Sequence, residues 1–137
     1  MCRWCKGAVS GRRRTFCSDA CVHEWRLRSS TSYLRECVFD RDAGVCAICG
    51  TDTHWLRKRV MRLPFSQRMR EIRALQARGV IHKRRKSWWE ADHMLPVVEG
   101  GDSSLENMRT LCIPCHRIAT RELAKRRRAG GTLITST

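Results

Sequence analysis

The sequence predicts a small α+β fold that is cross-linked by metal ions, and three observations lead to this class. The chain has 137 residues, which suits one domain or one domain with a small appended module. Hydrophobic residues make up 42% of it and aromatic residues only 7%, while 30% are charged, so the core would be thin. Eight of the nine cysteines fall into two sets of four, and four thiolates can bind one zinc ion. Bound zinc would supply the folding free energy that such a core lacks.

The α+β elements are predicted in the second half of the chain. Residues 88–93 form a strand-like run, and residues 108–111 can pair with it. The loop between these strands contains Gly100 and Gly101, and apolar residues recur at helical spacing over residues 114–128. The order strand, loop, strand, helix defines the predicted core.

This order would bring Asp92 and His93 close to His116, at the start of the helix. An imidazole that can act as a base would then lie beside a carboxylate and a second imidazole able to bind a divalent metal ion. Glu90 and Glu99 are further carboxylates nearby, for which surface or loop-capping positions are expected.

Four residues of this segment resemble the motif of HNH nucleases of the ββα-metal type. His93, Asn107 and His116 match the three letters, and Asp92 matches the usual acidic partner. The resemblance implies a metal-dependent endonuclease that hydrolyses DNA phosphodiester bonds, with His93 as general base. It also implies that Asp92 and His116 bind one catalytic Mg²⁺ or Mn²⁺. Asn107 would either tie the loop to the strands by hydrogen bonds or reach the metal ion, and both roles stay open.

The chain is similar in particular to the HNH domain appended to a vertebrate replication-fork annealing translocase with RAN-binding-type zinc fingers. The likeness runs from the N-terminal cysteines to the last helix and weakens between about Trp55 and Ser87. It implies a structure-specific substrate such as a fork, flap or junction, whereas a phage or bacterial nicking, packaging or restriction nuclease is an alternative. A non-catalytic zinc-containing nucleic-acid-binding module is the rival from another class, but it leaves the four motif residues unexplained.

Both cysteine sets are predicted to be structural zinc sites. The first combines C-x-x-C and C-x-x-x-C spacing and resembles treble-clef-like fingers, and the second combines two C-x-x-C knuckles more than sixty residues apart. Disulfides are the alternative, but a basic chain without a secretory signal favours reduced thiols. Cys37 is interpreted as a packed core thiol and His23 as a helix-surface residue. The two sets are Cys2, Cys5, Cys17 and Cys21, and Cys46, Cys49, Cys112 and Cys115.

The elements suggest three segments. Residues 1–28 form an N-terminal zinc finger in which Ser18 caps a helix, and residues 29–128 form the nuclease domain. Within that domain, helix signals span residues 29–44, and a basic helical insertion covers about residues 55–87. Residues 129–137, with Gly130 and Gly131, are predicted to be a disordered tail.

The charge predicts the partner. Lysine and arginine number 28 against 13 acidic residues, a net charge of +15 that two four-thiolate zinc sites would reduce to about +11. This excess of positive charge predicts that the partner is DNA and that the basic insertion binds its phosphates. Trp88 or Trp89 is a candidate for stacking on a base. No membrane and no small-molecule cofactor are expected, and the oligomeric state is not predicted. Without an apolar run of about 20 residues or a signal peptide, we expect a soluble intracellular protein, cytoplasmic if bacterial or phage and nuclear if eukaryotic.

Overall fold

The computed structural model describes the backbone of residues 1–135 and the side chains of residues 1–130. The chain forms two compact units, each built from two stretches of sequence. Unit 1 contains Met1–Arg41 and His93–Arg109, and unit 2 contains Asp42–Asp92 and the chain from Thr110 onward. The fold is the predicted small α+β type, with five helices and a two-stranded sheet. The predicted segments 1–28, 29–128 and 129–137 stay a prediction.

Unit 1 contains two helices, and the first of them carries Cys21, the last residue of the first cysteine set. Helix α1 (Asp19–Ser29) begins where the Ser18 hydroxyl accepts a hydrogen bond from the Cys21 backbone N–H, at 3.2 Å, which confirms the predicted cap. Helix α2 (Thr31–Asp42) lies within the predicted helical stretch 29–44 and buries Leu34 and Val38, which are spaced at i, i+4. His23 does not lie free on the surface of α1, because its Nδ1 is 2.7 Å from the Tyr33 hydroxyl of α2.

The rest of unit 1 is the segment His93–Arg109, which contains two short 3₁₀ turns, Val97–Glu99 and Leu105–Asn107. Two arginines of α1 and α2 bind it. The Arg41 guanidinium donates hydrogen bonds to the carbonyls of Leu105 and Met108, at 2.7 and 2.6 Å. Arg28 forms an ion pair with Asp102 at 3.5 Å. The N-terminal helices therefore position this segment.

The insertion in unit 2 forms two helices. Helix α3 (Thr53–Met61) begins at Asp52, whose carboxylate accepts a hydrogen bond from the Trp55 N–H, and helix α4 (Phe65–Ala77) follows Pro64. Both helices contribute to one apolar core, which also buries Trp88, so this tryptophan is not available to stack on a base. The buried members of this core are Val60, Leu75, Ile81 and Trp88.

The sheet consists of strands β1 (Trp89–His93) and β2 (Met108–Cys112), as predicted. Helix α5 (Ile113–Thr135) follows β2 directly and continues beyond Arg128, where the sequence places its end. The backbone is helical through the stretch 129–135 that the sequence assigns to a disordered tail, and residues 136–137 lie outside the described residues. Gly130 and Gly131 each weaken a helix by about 1 kcal/mol relative to alanine, which is too little to force an end.

Glu90 also differs from expectation. It is 9% exposed and lies within β1, where its carboxylate accepts a hydrogen bond from Ser87 at 3.0 Å and pairs with Arg85 at 3.3 Å. The predicted surface position is therefore wrong, because two neighbours in the preceding basic turn satisfy this buried charge. Among the described residues, no helix combines the length and the apolar character that crossing a membrane requires.

Candidate functional site

Each cysteine set forms a cluster with the geometry of a zinc site. Within each cluster the four Sγ atoms lie within 4.8 Å of one another. Four sulfurs bound tetrahedrally at about 2.3 Å from zinc would lie about 3.8 Å apart. The separations Cys5–Cys17, Cys17–Cys21 and Cys49–Cys112 are 3.6, 3.4 and 3.6 Å, close to that value. None of the nine cysteines forms a disulfide in this structure, and the spacing within both clusters fits zinc.

Backbone hydrogen bonds lower the pKa of the first cysteine in each cluster. Burial raises the pKa of Cys2 and Cys46, but hydrogen bonds from backbone N–H groups in both halves of each cluster outweigh it and lower each pKa to about 6. The hydrogen bond with Cys21 raises the pKa of Cys17 to about 12, and burial raises that of Cys112. In each cluster one thiol therefore ionises first, and its neighbours share the resulting charge as donors. Thiolates are the form that zinc binds.

Asp92 and His116 form a third candidate metal site, which lies in unit 2 together with the second cysteine cluster. His116 Nε2 lies 3.9 Å from Asp92 Oδ1, and the two side chains are 33% and 15% exposed. Two ligands of one Mg²⁺ or Mn²⁺ lie at most about 4.2 Å apart, because each bond is about 2.1 Å long. At 3.9 Å the carboxylate oxygen and the imidazole nitrogen are close enough to reach one divalent ion. Adjacent ligands of an octahedral ion lie about 3.0 Å apart, so binding would draw these two side chains about 1 Å closer together.

His93 is the residue after Asp92 at the end of β1, and its contacts lie in unit 1. The ring Nε2 is 3.0 Å from the Ser103 hydroxyl. One imidazole nitrogen is thus engaged within the loop, and the other is left for proton transfer if Nε2 carries the hydrogen. Ser103 was not among the predicted site residues. No spacing rule connects it with His93, although a serine close to the loop glycines is a weak signal.

The Asn107 side chain hydrogen-bonds to the backbone of the loop. Contacts of this kind belong to the first of its two predicted roles, which is to fix the loop by hydrogen bonds. Its Oδ1 accepts a hydrogen bond from the Leu95 N–H at 2.9 Å, and its Nδ2 donates to the carbonyls of Leu95 and Asp102 at 3.0 and 2.7 Å. A Cβ at Gly101 would overlap the Leu95 carbonyl, so the loop requires glycine there. Both N–H groups of the amide and one lone pair of Oδ1 are used by these bonds, which favours positioning over metal binding for Asn107.

The described residues thus bring Asp92 and His116 together, join His93 to Ser103, and commit Asn107 to the loop. The arginines Arg28 and Arg41 were missed as loop-binding residues. Their partners are more than sixty positions away along the chain, at 64, 67 and 74 residues, so the pattern of the sequence contains no signal for them.

Three comparisons with known proteins agree. The family model described as HNH endonuclease matches residues 80–122, which include all four motif residues. The curated "DNA annealing helicase and endonuclease ZRANB3" of Mus musculus is 38% identical over 127 residues, and the human protein is 37% identical over 122 residues. Each match covers 82% of this chain but 11% of the relative, so the chain spans about a tenth of the length of these proteins.

A solved structure, "Crystal structure of the human ZRANB3 HNH domain", is 33% identical to this chain, with a TM-score of 0.59. The match covers 76% of this chain and 97% of that structure. The likeness therefore extends over nearly the whole of the solved domain, and it includes more than the motif segment.

Proposed function

Because this chain belongs to the HNH endonuclease family, we propose that it is a metal-dependent endonuclease that hydrolyses DNA phosphodiester bonds. The observation that carries the proposal is the separation of 3.9 Å between His116 Nε2 and Asp92 Oδ1, with His93 following Asp92 directly in β1. A carboxylate and an imidazole that can reach one divalent ion, with a second imidazole at the next position of the strand, are the groups that metal-dependent phosphodiester hydrolysis uses.

His93 is the proposed general base. The Nε2 atom lies 3.0 Å from the Ser103 hydroxyl. In the tautomer that the proposal requires, Nε2–H donates to this hydroxyl, and Nδ1 takes a proton from the attacking water. Asn107 holds the loop that carries Ser103, and so keeps the ring of His93 in place. A divalent ion held by Asp92 and His116 would stabilise the charge that develops on the phosphate and on the leaving oxygen. The family resemblance further implies products with 5′-phosphate and 3′-hydroxyl ends.

The basic insertion is proposed to bind the phosphates. Residues 55–87 contain twelve lysines and arginines against one acidic residue, Glu71. Neutralising phosphates releases condensed counterions, so binding is expected to weaken steeply with salt. The exposed cations of α3, α4 and the turns that follow them are Arg57, Lys58, Arg59, Arg62, Arg70, Arg73 and Arg78.

Nicking of supercoiled plasmid tests the proposal. The chain is assayed with Mg²⁺ or Mn²⁺ supplied and with these ions omitted, so that the structural zinc is not stripped by a chelator. His93→Ala should lower the rate about 10²- to 10⁴-fold because the base is lost. Its zinc content and DNA affinity should be unchanged.

His116→Ala should also lower the rate, and higher Mn²⁺ should partly restore it. Equal activity in both variants and in the unaltered chain would contradict the proposal. DNA binding without nicking under any of these ions would favour the rival function, a zinc-containing nucleic-acid-binding module. His23 is unsuitable as a control because of its contact with Tyr33, so zinc content and melting temperature serve as the controls for folding.

We further propose that the substrate is branched DNA. The relatives' name includes both DNA annealing and endonuclease, and the insertion offers phosphate contacts without an evident base-reading pattern. Cleavage rates on a linear duplex, a single strand, a splayed fork and a flap should differ at fixed salt, with the branched substrates fastest. Equal rates on all four would remove the branched-substrate proposal and leave the nuclease.

A further inference from the structure

The helical insertion presents two aromatic side chains, each beside an arginine of its own helix. Trp55 is 56% exposed and Phe65 is 70% exposed. The Arg59 guanidinium lies 5.4 Å from the centroid of the Trp55 ring, and that of Arg68 lies 5.6 Å from the centroid of Phe65. We refer to these two contacts as the aromatic–arginine pairs. Of the aromatic side chains in residues 1–130, these two are the exposed ones.

Local structure holds both rings at the surface. The Trp55 N–H donates to Asp52 Oδ1 at 2.9 Å, which fixes the first turn of α3. Phe65 begins α4 directly after Pro64, whose fixed φ sets the direction of the chain. A guanidinium within about 6 Å of a ring is attracted to it, so each arginine helps to hold its aromatic partner in place while much of the ring stays accessible.

The surroundings of these rings are strongly basic. Arg57 and Lys58 lie between the members of the first pair in sequence, and Arg70 and Arg73 follow the second, all of them exposed. An apolar protein partner would have to place acidic groups along the whole insertion to match this charge. Nucleic acid combines phosphates for the cations with flat base surfaces for the rings.

We propose that the aromatic–arginine pairs form a stacking surface for unpaired bases of single-stranded DNA. The inference rests on the proposed function insofar as that function makes DNA the substrate, and it names the part of a branched substrate that this surface takes. In a duplex the base faces are covered by neighbouring bases, so only a single-stranded arm can stack on Trp55 or Phe65. Stacking of this kind tolerates any base sequence.

The test measures binding in the His93→Ala background, where cleavage is expected to be about 10²- to 10⁴-fold slower. Fluorescence anisotropy compares a labelled thymidine oligonucleotide with an abasic strand of equal length, which keeps the phosphates and lacks the bases. Trp55→Ala and Phe65→Ala should each weaken binding of the thymidine strand about 5- to 150-fold. Affinity for the abasic strand should change little.

Two further substitutions separate stacking from apolar contact. Trp55→Phe should retain most of the affinity, whereas Trp55→Leu, which keeps an apolar side chain without an aromatic face, should lose it. Met61→Ala is the matched control, since Met61 is an exposed apolar residue of the same helix, 42% exposed. Its affinity for both strands should equal that of the His93→Ala parent.

Equal losses on both strands would overturn the proposal, because the rings would then support only phosphate binding. Equal affinity of Trp55→Phe and Trp55→Leu would also overturn it and would favour an apolar protein partner for this surface. Failure of the proposed nuclease function would be seen separately, as absence of plasmid nicking by the unaltered chain. It would not change the ratio of the affinities for the thymidine strand and the abasic strand.

Discussion

The two cysteine clusters have the same chemistry but organise very different lengths of chain. The first joins Cys2 to Cys21 within the N-terminal part of unit 1, and the second joins Cys46 to Cys115 across most of unit 2. In both, one buried thiol has a pKa lowered to about 6. The two clusters therefore have the same four-cysteine ligand set but different structural roles. The first closes a short finger, and the second closes a long loop. Closing a longer loop removes more chain entropy from the unfolded state.

The second cluster is also continuous with an apolar core. Cys46 and Cys112 are buried together with Leu111, and Cys115 and Ala119 pack against them. The backbone N–H of Ala47 donates to the Thr110 carbonyl at 2.8 Å, which joins the first knuckle to β2. Loss of this metal site would therefore expose apolar surface and break strand contacts as well as opening the loop.

The largest expected effect is that of Cys112→Ser. Zinc binding at a structural site contributes on the order of 10 kcal/mol to the free energy of folding. Cys112 belongs to the second cluster, which closes the longer of the two loops. We expect native mass spectrometry to find one zinc ion instead of two, and unit 2 to lose its cooperative unfolding transition. Cys37→Ser is the matched control, because Cys37 lies outside both clusters. Retention of two zinc ions by Cys112→Ser would contradict the assignment of its ligands.

Cys17→Ser should have a smaller effect on folding. It removes one zinc ion and loosens unit 1, while the core of Val60, Leu75 and Trp88 in unit 2 stays folded. One unfolding transition should therefore remain by calorimetry. Nicking should still fall, since the loop that holds His93 belongs to unit 1 and its Asp102 pairs with Arg28 of α1. Loss of both transitions would show that the clusters do not act on separate units.

Acid should affect the two clusters alike. The folded-state pKa of Cys2 and of Cys46 is about 6, below the ordinary value of 9.0, so their thiolates stabilise the folded chain fully above pH 9. With zinc absent, this contribution is lost as the pH falls through about 6. Bound zinc competes with protons for the same sulfurs, so release from the loaded sites is expected below that pH. Release of zinc to a colorimetric chelator, followed from pH 8 to 4, should show both ions leaving in one window. Midpoints more than one pH unit apart would contradict this similarity.

The smallest expected effects come from single hydrogen bonds near each cluster. Ser18→Ala removes the cap of α1 and should destabilise unit 1 by about 1 kcal/mol. Thr110→Val removes the bond from the buried Thr110 hydroxyl to Asp42 in unit 2, 2.9 Å long, and should cost a similar or slightly larger amount, about 1–3 kcal/mol. Thermal unfolding measures both, and Ser10→Ala at an exposed position is the control. A larger loss for Ser18→Ala than for Thr110→Val would reverse the expected order.

Much of this architecture could be predicted from local patterns. The knuckle spacings identify the cysteine partners, and the Ser18 cap and the strand pair around the Gly100–Gly101 loop follow from turn and cap chemistry. Contacts made by long side chains across the fold could not be predicted. Arg41 reaches two carbonyls of a loop more than sixty residues away, and Glu90 is buried because Arg85 and Ser87 fold back onto it. Such contacts depend on tertiary position, which periodicity does not encode.

The separation of Cys49 from Cys112 has a consequence for the newly synthesised chain. The first cluster is complete once Cys21 has left the ribosome, whereas the second needs Cys112, which is 63 residues after Cys49. At about 5–20 residues per second, Cys46 and Cys49 wait roughly 3–13 seconds for their partners. During that interval they form a half-site that chaperones, other metal ions or oxidants can reach. Zinc supply and translation rate together therefore determine how many chains reach the folded state.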